Sequence, residues 1–83
     1  MSSYRTVDSL SDGIVEKVFV EKGTYVHEWE PLFLIKTANG AIKKIEMGVS
    51  GVISKVNVEP GERVCSDMTL ALLEEDTVSN GCD

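Results

Sequence analysis

The chain has 83 residues, 14 acidic and 8 basic side chains, and a formal net charge of −6 at pH 7. This length fits one small domain, which buries only about 60% of the surface of its unfolded chain. No basic cluster is longer than Lys43 and Lys44, which argues against nucleic-acid binding because that affinity depends on neutralising many phosphates. The sequence shows neither a signal-peptide pattern nor about 18 consecutive apolar residues, so we expect a soluble, cytoplasmic protein without a membrane partner.

The first half of the chain is predicted to form strands and turns. Val18, Val20 and Val26 alternate with charged residues, which predicts half-buried strands whose valines face inward. Gly23 supplies the turn between them because glycine tolerates positive φ. Residues 31–35 are continuously apolar and too few for a typical helix, so we expect a strand that is covered on both faces.

The middle of the chain is predicted to form a hairpin. Asn39 and Gly40, flanked by alanines, match a two-residue type I′ turn, in which both central residues have positive φ. Ile42 is out of phase with the later apolar residues of the next strand. We therefore expect a β-bulge near Lys43 and Lys44, with Ile42 facing solvent.

The second half of the chain repeats the first. Residues 45–73 align with residues 7–35 without a gap at an offset of 38, and nine of the positions from Gly13 onward are identical. The identical positions are mostly the glycines and apolar residues that determine a β-fold. Two copies are too few for a stacked solenoid, so we expect the halves to close on each other around a pseudo-two-fold axis.

These features predict an all-β fold, a flattened antiparallel β-barrel or sandwich of two pseudo-two-fold-related halves. The domain is expected to span residues 7–74, with tails over residues 1–6 and 75–83. Its predicted core combines equivalent residues of the two halves: Val18, Val20, Val26, Leu32 and Leu34 with Val56, Val58, Val64, Leu70 and Leu72.

Cysteine and histidine do not indicate a catalytic or metal site. Cys65 lies beside a turn and Cys82 in the polar tail, so free thiols in a reducing compartment are favoured over a bridge that would only pin the chain end. His27, the single histidine, occupies the position equivalent to Cys65, and no second ligand lies near it in sequence. A Cys–His nucleophile is disfavoured because symmetry-related positions lie on opposite sides of the axis.

The repeated pattern Val-x-Val-x-x-Gly-x-x-Val, at residues 18–26 and 56–64, resembles the biotinyl/lipoyl attachment domains, as do the strands that flank the hairpin. These flattened antiparallel β-barrels carry the swinging arm of carboxylases and 2-oxo acid dehydrogenase complexes. The resemblance covers residues 7–74. It implies the same barrel here, with the internal two-fold repetition that is a hallmark of the family.

The lysine that carries the cofactor in this family is missing. Members present it at the hairpin tip, within Ala-Met-Lys-Met in biotinyl domains or Asp-Lys-Ala in lipoyl domains. When the resemblance is aligned on Leu32, the position of this lysine is Asn39, and when it is aligned on Gly51, the position is Gly40. Neither residue can form an amide with biotin or lipoate. Trp29 and Asp67 are further departures, since the family has glycine at these positions.

Two readings of the function remain open at this point. The first is a non-enzymatic, lysine-less domain without a cofactor, which acts through contacts with a protein partner; a subunit of a biotin- or lipoate-dependent complex is the candidate. The second is a biotin or lipoyl carrier modified at a displaced lysine, Lys43 or Lys36. A relation to membrane-fusion adaptors, which resemble this barrel, ranks third because the tight turn leaves no room for the helical hairpin that they insert.

Three residues are candidates for partner binding. Trp29 either folds over the strand ends or anchors a partner. Residues 36–46 have a net charge of +2 on an otherwise acidic chain, so Lys43 and Lys44 are candidates for steering an acidic partner toward the hairpin. The alternative is that this charge asymmetry has no role.

Overall fold

The computed structural model describes residues 3–75, which form eight strands and no helix. Within these residues no helix is therefore available to cross a membrane. The predicted all-β class is confirmed. The strands are β1 (Ser3–Asp8), β2 (Gly13–Val18), β3 (Tyr25–Val26), β4 (Pro31–Lys36), β5 (Ile42–Glu46), β6 (Gly51–Val56), β7 (Arg63–Val64) and β8 (Thr69–Glu75).

The strands form two four-stranded antiparallel sheets. Sheet A has the order β1-β8-β6-β3, and sheet B has the order β5-β4-β2-β7. Each strand of sheet A has a counterpart in sheet B that lies 38 residues earlier or later in the chain. β1 corresponds to β5, β8 to β4, β6 to β2 and β3 to β7, so the two sheets have the same order of equivalent strands. The architecture agrees with the flattened barrel or sandwich expected from the repeat. The paired strands β1 and β8 reach Ser3 and Glu75, slightly beyond the expected bounds of 7–74.

The turns repeat in the same way. Gly23 and Gly61 have φ values of 94° and 92°, in the left-handed region that favours glycine. The Gly23 amide donates to the Ile53 carbonyl and the Gly61 amide donates to the Val15 carbonyl, both at 2.7 Å. Each turn thus bonds to a strand of the other half of the repeat, the same strand that pairs with the short strand following the turn, and these bonds connect the two halves.

The core lies between the sheets and contains six of the ten residues predicted for it: Val20, Val26, Leu32, Val58, Val64 and Leu70. Val18 and Val56 are partly buried and pack against this core, whereas the prediction is wrong for Leu34 and Leu72, which are partly buried outside it. The remaining buried apolar residues are Val7, Val15, Phe33, Ile35, Ile45, Ile53, Ala71 and Leu73.

The alternation of β4 explains the error at Leu34. Ile35 pairs with Val15, and both side chains are buried against the opposite sheet. Because neighbouring residues of a strand point to opposite faces, Leu34 must then face outward, where it is half-buried. The strand is therefore covered fully on one face only, contrary to the expectation from its apolar run. Leu72 occupies the equivalent place in β8.

The bulge predicted near Lys43 and Lys44 is also wrong. The β4–β5 pairing is regular at these residues, and the register shift falls instead in β4, at Leu32. The hairpin loop has three residues rather than two, which changes the register by one and makes a bulge in β5 unnecessary. Ile42 does face solvent, with 48% of its surface exposed, as predicted.

Candidate functional site

The hairpin tip consists of Ala38, Asn39 and Gly40. Thr37 and Ala41 close the loop, since the Thr37 amide donates to the Ala41 carbonyl at 2.8 Å. The Gly40 amide donates to the Thr37 carbonyl at 2.9 Å, and Gly40 has a φ of 87°. Asn39 is not among the described residues with positive φ. The loop is therefore a type I turn followed by a left-handed glycine, and the type I′ prediction is wrong.

Asn39 holds this loop through its side chain. Its Oδ1 lies 2.5 Å from the Thr37 hydroxyl and 3.3 Å from the Ala41 amide, and both groups donate to it. Short polar side chains stabilise turns in this way because they bond to backbone groups two residues away. The tip presents an amide at Asn39, a methyl group at Ala38 and only hydrogen at Gly40.

Replacing Gly40 with valine should destabilise the protein by about 1 kcal/mol or more, because a β-branched residue is strained at positive φ. Steric contact does not contribute, since a Cβ at Gly40 would meet no atom within 4 Å. Thermal denaturation followed by circular dichroism measures the change. Ala38→Val is the control in the same loop, and an equal loss in both variants would contradict the left-handed assignment.

The two lysines considered as displaced attachment sites lie on strands rather than on the tip. Lys36 pairs with Ile42, and Lys43 pairs with Ile35. Lys36 and Lys43 therefore belong to successive rungs of the hairpin and point to opposite faces of sheet B. Neither occupies the projecting turn.

A cleft of about 550 Å³ lies beside the base of the hairpin. Its floor crosses three strands, because Ile14 of β2 pairs with both Lys36 of β4 and Arg63 of β7. Sequence reasoning missed Ile14 and Arg63, since they are distant from the hairpin in sequence. The pairing of β2 with β7 is what brings Arg63 there. The lining includes Ile14, Lys36, Thr37, Ala38, Arg63 and Cys65.

Trp29 lies at the other end of β4. It occupies the third position of a turn in which the Glu30 amide donates to the His27 carbonyl at 3.2 Å, and its φ is 62°. The indole lies over the backbone of Gly48, where a Cβ would come within 2.9 Å of two of its carbons. The side chain nevertheless remains 64% exposed. Trp29 thus packs on one face and leaves the other open.

Asp67 is the counterpart of Trp29 in the second half. Its φ is 69°, and its amide donates to the Ser9 carbonyl at 2.8 Å, as the Trp29 amide donates to the Met47 carbonyl at 2.7 Å. The backbone therefore requires a left-handed residue at both positions, which is the conformation that glycine adopts most easily. This geometry accounts for the glycine usual at these positions in the domains that the sequence resembles.

The structure does not gather Trp29, Lys43 and Lys44 into one patch. Trp29 precedes β4, whereas Lys44 and Lys43 pair with Leu34 and Ile35 in the second half of that strand, so at least five extended residues, roughly 16 Å, separate them along the sheet. Lys43 and Lys44 are neighbours on β5 and point to opposite faces of sheet B. The Lys44 Nζ lies 3.7 Å from Glu46 Oε2. Their role in partner binding stays a prediction.

His27 and Cys65 follow edge strands of different sheets, β3 in sheet A and β7 in sheet B. His27 is exposed, with Nδ1 3.5 Å from Glu30 Oε1 and its ring edge-on to Tyr25. Cys65 is an exposed free thiol, whereas Cys82 lies outside the described residues. Within residues 3–75, no group of three or more His, Cys, Asp or Glu residues is arranged to hold a metal ion.

The fold resembles small parts of known carboxylases, although the sequence matches no protein-family model and no curated protein. Urea carboxylase of Kluyveromyces lactis superposes with a TM-score of 0.77 at 17% identity, over 86% of this chain and 6% of the carboxylase chain. A single-chain, multi-domain long-chain acyl-CoA carboxylase gives a TM-score of 0.81 at 17% identity, over 93% of this chain and 8% of the other. At this identity the similarity shows a shared fold.

Proposed function

We propose that this chain is a lysine-less biotinyl/lipoyl-like domain that carries no cofactor, is not itself an enzyme and acts through contacts with a protein partner. A cytoplasmic biotin- or lipoate-dependent complex is the candidate setting. Two lines of argument support this function. The first is the fold, which is similar to 6% and 8% of the chains of two carboxylases, the class of enzyme in which such domains are expected.

The second line is the chemistry of the hairpin tip, and it carries the proposal. Attachment of biotin or lipoate needs a primary amine on the projecting turn, where a ligase can reach it. Ala38, Asn39 and Gly40 form that turn and offer no amine. Lys36 and Lys43 lie on the strands below it and are held in ladder positions opposite Ile42 and Ile35.

The intact mass of the protein tests the absence of a cofactor. Co-expressed with active biotin and lipoate ligases, the wild-type protein should keep its unmodified mass. A mass increase by one biotinyl or lipoyl group, mapped by peptide mass spectrometry to Lys36, Lys43 or Lys44, would refute the proposal and establish the displaced-lysine carrier.

Two variants that restore a lysine at the tip show whether only the attachment residue has been lost. Asn39→Lys adds no backbone strain, because Asn39 does not have positive φ, but it removes the two hydrogen bonds that Asn39 Oδ1 accepts; Gly40→Lys keeps those bonds and adds about 1 kcal/mol of backbone strain. Modification of either variant would mean that the surrounding surface can still be recognised by a ligase. If neither variant is modified in its folded form, the surface has diverged from what a ligase recognises, as expected for a domain that serves another partner.

A further inference from the structure

The outer face of sheet B carries a row of four side chains at the end near the hairpin tip. Successive strands place Ile42, Lys36, Ile14 and Arg63 side by side, because each residue is the register partner of the next. All four are exposed, and Ile14 and Ile42 expose 37% and 48% of their surface. Two cations thus alternate with two apolar side chains along this row.

A second row on the same face adds further positive charge. Lys44 of β5 and Lys17 of β2 both pair with Leu34 of β4. The Lys17 Nζ lies 5.7 Å from the centre of the Phe19 ring, and Lys44 is close to Glu46. The two rows together form what we call the basic face.

The other sheet provides an internal comparison. The row on sheet A that corresponds to Ile42, Lys36, Ile14 and Arg63 consists of Tyr4, Glu74, Val52 and Tyr25. The apolar position between the two cations is kept, because Val52 takes the place of Ile14. The charged positions are not kept, since a lysine corresponds to Glu74 and an arginine corresponds to Tyr25.

The fold does not require a cation at Lys36 or at Arg63. Equivalent strands of the two sheets have equivalent neighbours, and sheet A forms with Glu74 and Tyr25 at these places. Glycines that the backbone requires are alike in both halves, as Gly13 and Gly51 are, whereas these two positions differ. The positive charge of one outer face on a chain with a net charge of −6 is therefore available for recognition.

The two cations of the first row, Lys36 and Arg63, are free to bind a partner. Among the described residues, the ion pairs within 4 Å are made by Arg5, His27 and Lys44, so Lys36 and Arg63 have no carboxylate partner there. They lie two strands apart, a separation of about 10 Å, with Ile14 between them. Asp12 is the carboxylate in the lining of the adjoining cleft, and its Oδ1 accepts the Ser66 amide at 2.6 Å.

We propose that the basic face binds a protein segment that presents two carboxylates about 10 Å apart with an apolar side chain between them. Lys36 and Arg63 receive the carboxylates, and Ile14 contacts the apolar group. This inference rests on the proposed function, in which the domain acts through protein contacts, and it names the surface and the chemistry of the partner. The surface differs from the hairpin alone, because Arg63 and Lys17 belong to it and Lys43 faces the other way.

Two synthetic helical peptides of equal composition test this surface. In the first, Glu, Leu and Glu stand at positions i, i+4 and i+7, which places the carboxylates about 10 Å apart on one face. In the second, the same residues are scrambled. Titrating each into the isotope-labelled protein should shift the backbone NMR signals of Ile14, Lys36, Ile42 and Arg63 with the first peptide, with at least fivefold weaker binding of the second.

Matched variants locate the binding. The double variant Lys36→Glu/Arg63→Tyr copies the residues of sheet A and should weaken the first peptide at least tenfold. Lys17→Glu and Lys55→Glu change identical residues of the repeat on opposite sheets, so the first should weaken binding and the second should leave it within twofold. Thermal denaturation confirms that each variant is folded.

Equal effects of Lys17→Glu and Lys55→Glu, equal binding of the scrambled peptide, or unchanged binding by the double variant would overturn the proposal. Concentration-dependent self-association that Lys36→Glu abolishes would assign the face to a second copy of the chain and would also overturn it. The peptide experiment involves neither biotin nor lipoate. A negative result with the peptides therefore does not change the outcome of the mass test of the proposed function. A mass increase in that test likewise does not decide whether the basic face binds the peptide.

Discussion

Replacing Gly51 with alanine is expected to destabilise the protein by about 3 kcal/mol or more, at the upper end of what overpacking costs. A Cβ at this position would lie 2.1 Å from the Glu74 carbonyl oxygen and 2.9 Å from its carbon. Both are backbone atoms of β8, which pairs with β6 here, so relief requires the two strands to separate. Such a loss is a large fraction of the total stability of about 4–12 kcal/mol for a domain of this size.

Thermal and urea denaturation measure this effect, and the melting midpoint should fall by roughly 12 °C or more. Gly13→Ala is the symmetric counterpart and should behave similarly, because its Cβ would lie 2.4 Å from the Lys36 carbonyl oxygen. Gly23→Ala is the control. It has open space around it and a φ of 94°, so only backbone strain of about 1–2 kcal/mol is expected. Similar losses in all three variants would contradict the close approach of strands at Gly13 and Gly51.

This pair of glycines illustrates why the fold was predictable from the repeat. A glycine that recurs at the same place in both halves signals a backbone constraint, here a carbonyl of the neighbouring strand at Gly13 and Gly51. The turn glycines Gly23 and Gly61 recur because both turns need positive φ. The positions that are identical in both halves therefore indicate where the backbone conformation is constrained, and from these constraints the two equivalent sheets could be predicted.

Register was harder to predict than topology. The Asn39–Gly40 pair is typical of a type I′ turn, yet the same two residues also fit a three-residue loop in which only glycine is left-handed. Choosing between the two loops changes the register by one residue and moves each side chain of β5 to the other face. The extra residue in β4 at Leu32 left no signal in an unbroken apolar run.

Some candidate site residues could be predicted from the sequence, whereas others depend on strand register and could not. The missing lysine and the unusual residues at Trp29 and Asp67 were visible because the repeat and the family pattern assign positions in sequence. The row through Lys36, Ile14 and Arg63 depends on which residues of β4, β2 and β7 lie opposite one another. Hydrogen-bond register across strands that are distant in sequence determines this, and the hydrophobic pattern of one strand cannot report it.

Phe33→Ala is the core substitution with the largest expected effect, a loss of about 3–5 kcal/mol. Phe33 is the largest of the fully buried side chains, with 0% of its surface exposed. Removing the ring takes away its burial and leaves a cavity that the two sheets can close only in part, because both are held by their strand pairing. Urea denaturation of the variant measures the loss, and the denaturant slope shows whether the unfolding transition stays cooperative.

Leu34→Ala is the matched control for Phe33→Ala. Leu34 is the next residue of the same strand, faces outward and is half-buried, so its loss should cost much less. The comparison also tests the symmetry of the core, because the position equivalent to Phe33 holds Ala71, which is itself fully buried. Phe33→Ala makes the two halves more alike in sequence and should still destabilise them, since stability depends on filled volume rather than on symmetry. A loss at Leu34 as large as that at Phe33 would contradict the assigned facing of β4, and the assignment of the basic face would fail with it.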